Sequence, residues 1–391
     1  MKIAFYSHII LEVGGGLEKY FVETSRQLTE RYPDLEIDII THDDKFAIKL
    51  RPLMSLIFMR RMTVKELYRE PLESITAKLG PKVKYHKVGS IKELRQRFSE
   101  YDAVYSKNEI IESVILKFFV GYRNVPKPLI FGCHTPINYP MTGSVYARVH
   151  NFLYQGFIYR FLASGVSTFH ALNSGDEGIL KKVFPRKQVV KIPNPFDFDA
   201  FVAKAAQYPF DGGIDLAKFN ILWMGRLAEQ KGVDDLVKLV DVINATPAGS
   251  GVAWNIAGDG PDRHKLDALG RRWQNVHHFG HIDNDQIASL CSQNNLFVST
   301  SKWEGFPYTL LEAQSFGLPV VAYDIQGCND IVVDGQTGKL EHDLEALCSA
   351  VSRLQDKTVN VLNPENIKVS IRSKFGAKMT YDELYRLLSS A

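Results

Sequence analysis

The chain is poor in cysteine, has no long apolar run and carries almost no net charge. Its 391 residues include four cysteines, Cys133, Cys291, Cys328 and Cys348. They are scattered and form no CxxC pair, so neither a zinc site nor a disulfide framework is indicated. Packing, in a reducing cytoplasmic setting, is their expected role. No apolar run approaches the ~18 residues of a membrane-spanning helix. Met1 leads straight into the strand-like KIAFYSH, so no secretory leader is expected. The formal net charge of +3 is too small to suggest a nucleic-acid partner. Neither internal repeats nor low-complexity segments are visible.

What is present fits a soluble globular protein, with 45% hydrophobic and 23% charged residues and a length that suits two domains. Short apolar runs alternate with amphipathic ones. Strands are expected at KIAFYSH, EIDIITH, KVKYHKV, AVYSK, PLIFGCH, VSTFHAL and QVVKIPN. The intervening stretches, such as EKYFVETSRQLTERY, have helical spacing. Strand–helix alternation predicts a parallel sheet covered on both faces. The pattern pauses in a segment rich in Pro, Gly and Asp, then resumes with NILWMG, VAWNIAG, NVHHFG, NLFVST and PVVAYD. We therefore expect two doubly wound α/β domains: residues 1–195, a linker at 196–217, and 218–371. A terminal amphipathic helix is expected over 372–391. Ligands of such sheets bind outside the carboxyl ends of the strands.

Several motifs fall at those ends. Gly14-Gly15-Gly16 lies between a strand and a helix, where bare backbone can approach an anion. It is not the dinucleotide fingerprint GxGxxG, because the third glycine position falls on Lys19. Arg226 and Lys231 lie five positions apart on one glycine-flanked loop, an arrangement suited to a diphosphate. An ordinary solvated basic loop is the plain alternative. Ile282 follows Phe279-Gly280-His281 and is a candidate wall for a nucleobase. WEGFPYTLLE places Glu304 at a strand end and Glu312 eight positions later. Pro307 suits a helix start, which would leave the N–H groups of Tyr308, Thr309 and Leu310 free for phosphate oxygens. Taken singly, Glu304 reads as a helix-start carboxylate and Glu312 as a helix-surface one. Together, beside that helix start, they point to the hydroxyl pairs of a ribose and a sugar. His134 ends PLIFGC before a Thr-Pro turn.

In order along the chain, GGGLE, HTP, IPNPFD, GRLAEQKG, AGDGP and EGFPYTLLEA resemble the retaining GT-B glycosyltransferases of family GT4, the glycosyl transferases group 1. The resemblance implies a GT-B fold of two Rossmann-like domains facing a central cleft, the first binding acceptor and the second an NDP-sugar. It implies retaining transfer without metal or other cofactor. Under it, His134 contacts the sugar and supports the transition state. Arg226 and Lys231 bind the diphosphate, with Gly15 and Gly16 lining it. Glu304 and the backbone after it, including Phe306, hold sugar hydroxyls, and Glu312 holds the ribose. The terminal helix crosses back to the first domain. Two departures stand out: Pro195 replaces the glycine of the usual PNG, and the late acidic residue is shifted to Asp330.

The donor is expected to be an NDP-sugar, with UDP favoured on family frequency. The acceptor is expected to be a hydroxyl of a glycan or lipid-linked molecule in surface polysaccharide or glycolipid synthesis. Residues 45–69 mix Leu, Ile, Phe and Met with Lys49, Arg51, Arg60 and Arg61, and are expected to touch anionic membrane from the cytoplasmic side. Two rival readings are a sugar-nucleotide epimerase and a non-catalytic sugar-nucleotide-binding subunit.

Overall fold

Runs of β-branched and aromatic residues, buried on both faces, build two separate parallel sheets. A computed structural model describes residues 1–9, 11–13, 16–43, 71–140, 145–355 and 362–389. The chain divides into two units, Met1–Pro193 with Thr380–Ala391, and Asn194–Met379.

In the first unit the strands are β1 (Lys2–Ser7), β2 (Glu36–His42), β3 (Val83–Val88), β4 (Ala103–Lys107), β5 (Leu129–Cys133), β6 (Thr168–Ala171) and β7 (Gln188–Lys191). They lie in the order β3-β2-β1-β4-β5-β6-β7, all parallel. One face packs through Phe131, Phe169, Tyr159 and Phe98, each fully buried. In the second unit the strands are β8 (Phe219–Met224), β9 (Val252–Ala257), β10 (Val276–Gly280), β11 (Leu296–Ser299), β12 (Val320–Tyr323) and β13 (Gly338–Glu341). Their order is β10-β9-β8-β11-β12-β13, again all parallel. Trp223 and Trp254 are buried in its core with Leu236 and Leu266. Each unit is therefore a doubly wound α/β sheet, the architecture expected from strand–helix alternation. The four cysteines are all buried thiols.

The boundaries differ from expectation. Residues 196–217 are not a free linker. The Asp197 side chain caps the helix Phe198–Gln207 by accepting the Ala200 N–H at 3.0 Å. Lys204 pairs with Asp285 at 2.6 Å, and the Phe210 N–H donates to Ser289 Oγ at 2.9 Å. The segment thus belongs to the second unit; a capped helix hides inside a Pro/Asp-rich composition. At the other end, the helix Pro364–Phe375 runs through position 372, and Gly376 separates it from the helix Ala377–Ser389. The unit boundary falls inside that last helix, after Met379. Beyond it, Tyr385 stacks on Tyr32 with ring centroids 3.9 Å apart and donates to Asp34 at 2.7 Å. The four-residue strand β13 was not foreseen, because GKLE carries little strand pattern.

Candidate functional site

The strand order of the second unit reverses between β8 and β11. In open α/β sheets that reversal opens a crevice for ligand at the carboxyl ends. The loop after β8 carries Arg226 and Lys231; the loop after β11 carries Glu304. Both loops are pinned by backbone. Gly225 and Leu227 donate to the carbonyls of Ala257 and Asp259, each at 3.0 Å. Gly258, at φ +138°, lies against Gly225 so closely that a Cβ would sit 1.8 Å from its carbonyl oxygen. Across the reversal, Thr300 Oγ1 donates to the Lys231 carbonyl at 2.8 Å. The Lys302 N–H donates to the Gln230 carbonyl, also at 2.8 Å. Gly232, at φ +65°, makes this approach possible, since a Cβ there would lie 1.9 Å from Thr300 O.

This scaffold brings Lys231 Nζ to 2.5 Å from Glu304 Oε1. Glu304 is buried, and the Lys231 side chain is 19% exposed. Arg226 is exposed and, among the described residues, has no ion-pair partner. The two loops thus hold one cation matched to a buried carboxylate and, among the described residues, a second one unmatched, an arrangement suited to an anionic ligand. Glu312 is half-buried one helical turn in, and burial pushes its carboxyl up to about 7, with the Lys231 charge pulling the other way. Behind Glu304 lies Gly327, at φ +84°, where a Cβ would come within 3.1 Å of the Glu304 carbonyl oxygen. Burial, with Glu304 adding to it, raises the neighbouring Cys328 thiol, which stays neutral.

The helix after Glu304 runs from Tyr308 to Ser315, with Pro307 as its N-cap rather than its first residue. Leu310 is not available to a ligand: its side chain is fully buried and its N–H donates to the Pro307 carbonyl at 3.2 Å. The extended Pro307 backbone, ψ 99°, accompanies that early turn. Thr309 is half-buried and Tyr308 is exposed at the helix start. Phe306 packs its ring on Tyr308 and Phe375, with centroids 5.7 and 5.8 Å away, so only its backbone is left to meet a ligand. Ile282 is half-buried after β10, beside exposed His281.

In the first unit, His134 follows β5 and is half-buried. Its Nε2 lies 2.9 Å from the Tyr105 hydroxyl, which lies 2.7 Å from His170 Nδ1. Burial, reinforced by His170 and Lys107, holds the His134 ring well below its ordinary pKa. The Tyr20 ring covers it, with centroids 4.2 Å apart. Tyr105 was not singled out from sequence. The available signal was Gly132 inside an apolar strand, a mark of close approach. A second pair also escaped notice: His8 Nδ1 lies 2.6 Å from Glu112 Oε1, both buried at the β1/β4 reversal of this unit. Burial pushes the Glu112 carboxyl up, but the His8 ring and Lys107 outweigh that and leave it below its usual value. Gly16 opens the helix Gly16–Arg31. Gly15 and residues 45–69 lie outside the described residues. No helix among the described residues is long and apolar enough to cross a membrane.

A family model described as "Glycosyl transferases group 1" matches residues 218–357, which hold the whole β8–β11 site. An "Uncharacterized 41.2 kDa protein in cps region" of Klebsiella pneumoniae is 32% identical over 125 residues, 32% of this chain and 32% of its own length. The match thus spans about a third of that curated relative. Among solved structures, Anabaena Alr3699/HepE in complex with UDP superposes with a TM-score of 0.68 at 19% identity, covering 100% of both chains. The apo form of the lipopolysaccharide outer core galactosyltransferase WaaB gives 0.70 at 19%, covering 100% of this chain and 99% of the other. These two likenesses establish a common GT-B fold.

Proposed function

We propose that the chain is a glycosyltransferase that moves a sugar from an NDP-sugar, with UDP favoured, to a hydroxyl of a glycan or lipid-linked acceptor, a reading supported by the match of residues 218–357 to the glycosyl transferases group 1 family model. Transfer proceeds with retention and without metal. The observation that carries this reading is the meeting of Lys231 and Glu304, on the same pair of loops as exposed Arg226, at the strand-order reversal of the second unit.

In this reading Arg226 and Lys231 bind the diphosphate and neutralise the charge that grows on it as the glycosidic bond breaks. Preorganised charge of this kind usually supplies the largest share of catalysis. Lys231 is set in place before substrate arrives by its pairing with Glu304, so little reorganisation is needed. Glu304 uses its remaining acceptor capacity, with the Gly305–Phe306 backbone, to hold sugar hydroxyls. Glu312 accepts from the ribose hydroxyls in its ionised form. His134 contacts the transferred sugar. The acceptor hydroxyl attacks the anomeric carbon on the face the diphosphate leaves, and a leaving-group oxygen takes its proton. No side-chain base is required.

A place in surface polysaccharide synthesis is supported by the likeness to the cps-region protein of Klebsiella pneumoniae and to the lipopolysaccharide galactosyltransferase WaaB; contact with the cytoplasmic face of a membrane rests on the basic and apolar composition of residues 45–69. The test is incubation of the full chain with UDP-, GDP- and ADP-sugars and glycan or lipid-linked acceptors, with and without EDTA. Release of nucleoside diphosphate and a product of unchanged anomeric configuration are expected, insensitive to EDTA. Absence of calorimetric heat with every nucleotide sugar overturns the reading.

A further inference from the structure

Three hydrogen bonds in series run through the sheet of the first unit, and their directions leave one arrangement of protons. At the far end the Ile192 carbonyl can only accept, so His170 Nε2, 2.7 Å away, carries a hydrogen. His170 is fully buried, and burial lowers its pKa to about 4 against the opposing pull of the Ile192 bond, so its ring is neutral. His170 Nδ1 is then a bare lone pair and takes the Tyr105 O–H across 2.7 Å. That spends the only proton of the Tyr105 hydroxyl. Toward His134 Nε2, at 2.9 Å, the hydroxyl can only accept, so Nε2 carries the hydrogen. With the His134 ring neutral, its Nδ1 is left as a lone pair.

The sheet is built to allow this series. Tyr105 on β4 and His170 on β6 flank β5, and Gly132 on β5 pairs directly with His170. A Cβ on Gly132 would lie 2.0 Å from the Tyr105 hydroxyl oxygen and 2.9 Å from His134 Nε2. Glycine on the middle strand is what lets the hydroxyl reach across it.

We propose that Tyr105 and His170 are positioning residues that lock His134 in its Nε2–H tautomer, so that it meets substrate as a hydrogen-bond acceptor at Nδ1. This rests on the reading that His134 contacts the transferred sugar. It deepens that reading: the group His134 recognises is a hydroxyl that donates, not a phosphate or carbonyl oxygen. It also removes His134 from consideration as an acid, because the lone pair, not a proton, faces the ligand.

The test uses the full chain labelled with 15N-histidine, with the His134 signals identified by their loss in His134→Gln. Long-range proton–nitrogen spectra are expected to show a protonated Nε2 and an unprotonated Nδ1. Tyr105→Phe, and independently Gly132→Ala, are expected to mix or reverse the tautomers. In transfer assays Tyr105→Phe is expected to lower kcat about five- to tenfold, the worth of one hydrogen bond, while nucleoside diphosphate affinity stays unchanged. A wild-type His134 with hydrogen on Nδ1, or a tautomer unmoved in both variants, overturns the lock. A moved tautomer with unchanged kcat overturns its role toward substrate. Absence of transfer in wild type refutes the enzymatic reading and the substrate role with it, while the nitrogen signals still decide the lock.

Discussion

Lys231 Nζ lies 2.5 Å from Glu304 Oε1, although the two residues are 73 positions apart in the chain. Removing either one strands the other in a site that excludes most water. Lys231→Ala is expected to destabilise the fold by about 2 kcal/mol, less than the ~3–5 for a fully buried pair because Lys231 keeps some solvent. It is also expected to abolish most transfer. Urea denaturation and a transfer assay check both. In Lys231→Met/Glu304→Gln, which leaves no unpaired charge, stability is expected to recover while transfer stays lost.

Arg226 offers the contrast. It is exposed and has no ion-pair partner among the described residues, so Arg226→Ala is expected to change stability by less than about 0.5 kcal/mol. Nucleoside diphosphate affinity is expected to fall about tenfold or more, because a charge-assisted hydrogen bond contributes about 1.5–3 kcal/mol. Calorimetry that finds unchanged affinity removes Arg226 from the site.

Glu312 sets a pH dependence. Burial raises its carboxyl from 4.5 to about 7, so the folded state holds a proton that the unfolded chain has released between those values. Its contribution to stability is therefore full below about pH 4.5 and is lost as pH rises through about 7. Glu312→Gln is expected to gain on wild type steadily across that window, read as a widening difference in urea midpoint. Ribose hydroxyls donating to the carboxylate favour its ionised form. Nucleotide binding near pH 7 is thus expected to release protons in wild type and not in Glu312→Gln, as calorimetry in two buffers would show.

Gly232 tests the backbone scaffold. Its φ of +65° and the 1.9 Å approach of a Cβ to the Thr300 carbonyl leave no room for a side chain. Gly232→Ala is expected to cost at least about 2 kcal/mol and to separate Lys231 from Glu304. A melting temperature and transfer rate equal to wild type would contradict the pinning of the two loops.

The membrane expectation rests on residues 45–69, outside those the structure describes. Arg60→Glu/Arg61→Glu is expected to abolish sedimentation with vesicles rich in anionic lipid, since each cation near such a surface contributes about 1 kcal/mol. Equal sedimentation of variant and wild type counts against membrane contact.

Much of the fold was legible because strands buried on both faces read as unbroken apolar runs, as in VAWNIA and KIAFYS. GKLE failed that test because three of its four residues are only half-buried, and polar residues suffice there. The helix Phe198–Gln207 failed because its cap, Asp197, sits among prolines and aspartates that read as a loop. Leu310 was misjudged because a backbone torsion at Pro307, invisible in sequence, turns a carbonyl onto its N–H.

The candidate site residues Arg226, Lys231, Glu304, Glu312 and His134 were all nameable from local motifs, because each lies where a strand ends or just inside the helix that follows. Which of them meet was decided by the tertiary structure alone. Lys231 faces Glu304 because β8 and β11 are neighbours across the strand-order reversal, a fact of topology. Tyr105 reaches His134 and His170 because a glycine on the strand between them leaves the space empty. Local sequence sets the backbone's preference for strand, turn or helix. The direction of a proton in a hydrogen bond depends on partners 22, 65 and 29 residues away, which only the folded sheet brings together.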